Sequence, residues 1–195
     1  MTRLTDLEQL RIAAEQREWN TLQDTLKRML ALLDPLIALS IAAPRLRAFL
    51  PRFEQYYPEA RWVRELLLTV ITYASAPRDL PLNALNQFPQ PGCGNFILAV
   101  FDAARTVQPQ YNVYERYSHI TNAIANAILA DLQYTYFKNH PQLYAQLLDP
   151  NTDQTTRTQI QATFWLDENI AKRDTALWLH VANLTEKALD EKFIS

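Results

Sequence analysis

The chain has 195 residues, 48% of them hydrophobic and 21% charged, with a formal net charge of -2. That is enough apolar chain for one globular core, and the charge balance carries no nucleic-acid footprint and no acidic tail. A single cysteine excludes an internal disulfide and every multi-cysteine metal site, and with only two glycines, Gly92 and Gly94, a Walker or Rossmann phosphate loop cannot be built.

The N-terminal stretch MTRLTDLEQL has no apolar core of the kind a signal peptide needs. Thr5 and Glu8 read as a capping box opening a first helix, with Leu7, Leu10 and Ala14 on its apolar side. Leu22, Leu26, Met29 and Leu33 continue at helical spacing, with the boundary near Trp19-Asn20 left open. The weakly charged run Met29 to Pro44 is too short to span a bilayer and is interrupted by Asp34-Pro35, so no membrane span is expected. Asp34-Pro35 reads as an N-cap with proline in the first turn of a short helix, Leu36 to Ala42. Pro44 restarts the pattern, Leu46, Leu50, Phe53 and Tyr57 form a stripe, and Pro51 is expected to kink it. A further helix is expected over Glu59 to Ala74, and the uncharged run Leu66 to Ala76 is expected to be buried.

Residues 77–95 change character: four prolines, both glycines and the cysteine fall there. A connection of that length inside a compact domain is commonly functional or a boundary. Asn95 is expected to cap a helix from Phe96 to Val107. Asn112 followed by Glu115 is a second capping box, opening an uninterrupted run to Lys138 that His140-Pro141 ends. Tyr117 to Ala130 carries no formal charge if His119 is neutral, so this helix reads as the central one, buried on most sides. One or two turns follow over Pro141 to Leu148, then a turn at Asp149-Pro150-Asn151 and a helix through about Ala171. Asp174 or Thr175 is expected to cap the last helix, with Leu177, Val181, Leu184 and Ala188 facing inward. No alternation long enough for a sheet occurs.

Three groups of residues carry chemistry worth weighing. Gly92-Cys93-Gly94-Asn95 places the only thiol at a helix start, where the dipole favours a reactive thiolate; the competing reading is a sharp turn around a small packed residue. Glu115, His119, Asn122 and Asn126 share one face of the central helix, either as a polar pocket lining or as the solvated edge. Paired Glu-x-x-His motifs and HExxH are both absent, so no carboxylate di-iron or zincin site is expected. The third group is the segment Arg45 to Arg64, in which five arginines (Arg45, Arg47, Arg52, Arg61, Arg64) alternate with Phe49, Phe53, Tyr56, Tyr57 and Trp62. Arginine binds carboxylate and phosphate in a forked geometry and is enriched with aromatics at protein interfaces. An amphipathic helix pair with snorkelling arginines is the plainer reading, and single-stranded nucleic acid ranks below both.

The expected fold is all-α: a single-domain irregular helical bundle of about seven helices around a central long helix. The alternative is a hinge in the proline-rich loop 77–95 between lobes 1–76 and 96–195. The leading functional expectation is a soluble, cytoplasmic, non-enzymatic protein-interaction module, with no catalytic residue, metal or cofactor assigned. Its partner would be another protein or a second copy, met by Arg45, Arg52, Arg61, Arg64 and Trp62. The alternative is a small-molecule or cofactor-binding bundle, with a pocket lined by Tyr114, His119, Asn122 and Asn126 and closed by the proline-rich loop near Cys93.

Overall fold

Four helix starts in this chain are written in aspartate and asparagine. Asp34 accepts the Leu36 N–H at 2.8 Å, with Pro35 in the first turn. Asn112 Oδ1 accepts from the Tyr114 and Glu115 N–H groups while Glu115 accepts from the Asn112 N–H, a complete capping box. Asp153 accepts from Thr156, and Asp167 from Asn169 and Ile170. Each satisfies donors that a helix start otherwise leaves open.

The computed structural model describes residues 3–73 and 75–194. It contains α1 (Arg3–Gln16), α2 (Trp19–Leu30), α3 (Pro35–Tyr56), α4 (Arg61–Tyr73), a 3-10 turn at Leu82–Gln87, α5 (Cys93–Thr106), α6 (Val113–Phe137), α7 (Pro141–Leu148), α8 (Gln154–Leu166) and α9 (Glu168–Ile194). The protein is all-α, with no strand among the described residues. The described helices number nine rather than the expected seven. A break at Arg17-Glu18 separates α1 from α2, and α7 stands as a short helix of its own.

Four expected boundaries are corrected. Thr5 lies inside α1, not at its cap. Pro44 and Pro51 sit within one continuous helix, α3. They are seven residues apart, hence on one face, and both are exposed. The carbonyls they leave without a partner belong to residues 40 and 47, also exposed, where water can satisfy them. Helix α5 begins at Cys93, two residues before Asn95, because Gly92 takes the left-handed conformation at φ 78° and serves as N-cap. Asp174 and Thr175 lie inside α9, and its cap is Asp167. Burial of the run from Leu66 is partial: Leu66, Leu67 and Val70 are buried and Leu68 is exposed, while Ala74 lies outside the described residues.

Helix α6 is the centre of the packing. It lies against α2, α3, α5, α7 and α9. Its closest neighbour is α5, antiparallel to it, with Ala99 and Ala103 on one side and Ala123, Ala127 and Ala130 on the other all buried. Small side chains let the two backbones approach. A Cβ added at Gly92 would lie well under 3.0 Å from the Ala130 carbonyl oxygen. One hydrophobic core runs from Leu7 to Leu189 and takes residues from both sides of the proline-rich connection. At the far end of α6, Tyr136 and Phe137 pack on Phe164 of α8, and Tyr144 of α7 covers Phe137. No described helix is long and apolar enough to cross a membrane.

Candidate functional site

Helix periodicity puts Arg45 and Arg52 on one side of α3, and Arg173 and His180 on one side of α9. One arginine of each pair, Arg52 and Arg173, meets Asp131 of α6. Arg52 Nη1 donates to Asp131 Oδ1. Arg173 donates through Nε to Oδ2 and through Nη2 to Oδ1, the latter at 3.0 Å, a forked pair. The Arg52 guanidinium also lies 4.8 Å from the Tyr134 ring centroid and 5.8 Å from that of Phe49. Burial pushes the Asp131 carboxyl up, but the hydrogen bonds and charges of Arg173 and Arg52 overcome this and hold it below its ordinary value.

Arg45 completes the group without joining the hydrogen bonds. Its Nε is buried and has no partner. Burial lowers its pKa, Asp131 opposes, and Arg173 adds to the fall. His180 is lowered by burial and then by Arg45, which keeps it neutral at pH 7. Three guanidiniums therefore share one carboxylate, a local excess of two positive charges at the junction of α3, α6 and α9.

The other expected contact residues face elsewhere. Arg64 makes a forked pair with Glu54, and with Arg61 it borders a shallow cleft of about 430 Å³ that also includes Glu65. Trp62 is half-buried, its indole stacked on Phe101 at 6.1 Å between centroids. The structure thus brings Arg45 and Arg52 together and leaves Arg61, Arg64 and Trp62 out of that cluster.

The polar stripe of α6 divides in two. Tyr114, Glu115 and Asn122 are exposed, Tyr114 at 74%, and Glu115 is occupied with the cap. His119 and Asn126 turn inward onto Asp102 of α5. His119 Nδ1 lies 3.0 Å from Asp102 Oδ1, and Asn126 Nδ2 donates to Oδ2 at 3.4 Å. Arg105 donates to the same carboxylate at 3.1 Å, and Tyr111 meets the His119 ring edge-on at 4.6 Å. Asp102 thus takes three polar contacts, and a part-buried Asp–His pair is built where sequence reasoning named only the histidine. The one signal for it was an acid alone in the apolar run Phe96 to Ala104.

Cys93 belongs to neither cluster. It is fully buried, and burial pushes its thiol up to about 12, opposite to the reactive thiolate that a helix start suggested. Desolvation outweighs the helix dipole because the thiol is sealed beneath core side chains. Its neighbour Gly92 packs at Ala130, eleven residues from His119 along α6, or about 16 Å at 1.5 Å per residue. A single pocket holding Cys93 with His119, Asn122 and Tyr114 is therefore not formed.

A further buried acid, Asp174, escaped the sequence reading by being taken for a cap. It is completely buried in α9, where Trp19 Nε1 donates to it at 3.1 Å and Arg17 Nε at 3.2 Å. Burial raises its pKa against the opposing pull of Trp19 and Arg17. Arg17 also donates to the Trp165 carbonyl at 2.9 Å, and its φ of 58° makes the left-handed link between α1 and α2. Among the described residues, no group of three or more His, Cys, Asp or Glu side chains is arranged to hold a metal ion. No family model, no curated protein and no solved structure matches the chain.

Proposed function

We propose that the protein is a non-enzymatic interaction module, of the adaptor, assembly-factor or regulatory-subunit kind. Its α3–α6–α9 face receives an acidic segment of a partner protein. The observation that carries this reading is Arg45. A guanidinium whose Nε is buried without an acceptor, beside two arginines that already donate three hydrogen bonds to Asp131, is destabilising in the free chain. A partner carboxylate laid on this face offsets the charge excess of the three guanidiniums. The aromatic surface under Arg52 fits the same use, since arginine and tyrosine dominate the energetics of protein interfaces.

The test is binding of a fluorescent glutamate-rich peptide, followed across ionic strength. Affinity should fall steeply with salt and be lost in the Arg45→Glu/Arg173→Glu double variant. It should persist in Arg61→Glu/Arg64→Glu. Equal binding by the parent and the first variant would remove this face from consideration.

A second reading, a small-molecule-binding bundle, draws on the Asp102–His119 pair. Native mass spectrometry of protein purified gently from its own source separates the two. A co-purifying polypeptide supports the module, and a small added mass supports the ligand site.

A further inference from the structure

The proline-rich connection is not a slack loop. Gln108, itself buried, donates its side-chain amide to the carbonyls of Pro77 and Arg78, and Gln110 donates to the Gln108 oxygen at 3.0 Å. The Leu82 N–H closes a tight turn on the Leu80 carbonyl at 2.8 Å, and the Ala84 N–H reaches the Pro81 carbonyl at 2.8 Å. This fixed segment stands off α4 and encloses a cleft of about 380 Å³ between them. Trp62, Glu65 and Thr69 line it from α4, and Pro77, Leu80 and Pro81 from the connection.

The chemistry of that wall is one-sided. Its surface is mostly apolar, and the Trp62 indole is backed by Phe101 and Phe88, which hold the ring in place. Glu65 is the one charged residue of the lining. No hydrogen bond or ion pair among the described residues engages its carboxylate: Arg64 is taken by Glu54, and Arg61, one turn earlier on α4, borders the adjoining cleft without pairing with it. The volume falls within the range of small-molecule sites. Prolines in the wall lower the ordering cost of binding, since they have little freedom to lose.

We propose that this cleft binds a small organic cation, an amine on an aromatic or branched hydrocarbon body. The hydrocarbon lies between the Trp62 ring and the prolines, and the ammonium meets Glu65. An indole adds attraction for a cation through its negative face. The site is independent of the arginine face, which would repel such a ligand and attract anions.

The probes are 2-phenylethylamine, 2-phenylethanol and 3-phenylpropionate, which share a benzyl body and differ in charge. Binding is read from the Trp62 indole N–H in protein labelled with 15N-tryptophan, the signal being assigned by its loss in Trp62→Phe. The amine should give a saturable shift and bind about three- to tenfold more tightly than the alcohol, with the carboxylate weaker still. Glu65 is exposed, so its variants fold. Glu65→Gln should bring the amine and the alcohol to the same affinity, and Glu65→Lys should reverse the order in favour of the carboxylate. Three results would each overturn the proposal: no saturable shift at Trp62, equal affinity for amine and carboxylate, or an amine affinity unchanged in Glu65→Gln.

Discussion

Replacing Gly92 by alanine tests the close approach of α5 to α6. Two effects add. The residue sits at φ 78°, where an L side chain costs about 1–2 kcal/mol. The new Cβ would also press on the Ala130 carbonyl oxygen and lie 3.0 Å from Phe49 Cζ. Neither neighbour yields cheaply, since one is backbone in the middle of α6 and the other is a buried core ring, so overpacking adds about 1–3 kcal/mol. The sum is about 2–5 kcal/mol, a large part of the 5–15 kcal/mol that holds a typical domain. With a urea m-value of about 2 kcal/mol/M, the unfolding midpoint falls by about 1–2.5 M. Gly94→Ala is the internal control. Nothing lies within 4 Å of a Cβ at Gly94, which sits inside α5, so that variant should be neutral or gain up to about 1 kcal/mol. Both are measured by circular dichroism in urea. A Gly92→Ala midpoint within error of the parent, or equal losses for the two variants, would refute the close packing of α5 on α6.

Other expectations follow from the buried charges and the caps. Asp131 has a folded pKa below its unfolded value, so its contribution is fully present above about pH 4 and is lost as pH falls through the depressed folded pKa. Asp131→Asn should therefore cost about 1–2 kcal/mol at pH 7, reduced from a fully buried pair because both arginines are about a third exposed. The difference from the parent should vanish in strong acid; an equal difference at pH 2 and pH 7 would contradict the assignment. Cys93 should react with a disulfide reagent at neutral pH far more slowly than a model thiol, and at the ordinary rate once the chain is unfolded in urea. A fast native reaction would show that the thiol is accessible. Asn112→Ala removes two accepted hydrogen bonds at the start of α6 and should lower stability by about 1 kcal/mol, read as a drop in melting temperature.

The sequence made the helices legible wherever a cap and a period agreed. Asp34-Pro35 and Asn112/Glu115 acted as written, and the uncharged run within α6 correctly marked the buried centre. Boundaries failed where tertiary context decided. Pro44 and Pro51 are tolerated because their face of α3 looks outward, which no local pattern states. Asp174 resembles a cap in sequence but is bound by residues some 155 positions away. The arginine-aromatic segment was legible on α3 and α4. Its essential partners, Asp131 and Arg173, lie on two other helices that only packing brings near. The reactive reading of Cys93 failed because a helix start says nothing about what lies above it.

The packing of α1 on α9 sets an order on events during synthesis. Arg11 reaches Glu186 at 2.8 Å, Thr175 donates to the Ala14 carbonyl at 3.2 Å, and these pairs are separated by 175 and 161 positions. At ribosomal rates, roughly 10–30 s pass between the making of α1 and the making of the helix that covers it. Through that interval Leu7, Leu10 and Ala14 lean on α2 without the cover of α9. Helix α1 waits for α9, so the nascent chain reaches α9 with part of its core still open to whatever else in the cell binds apolar surface.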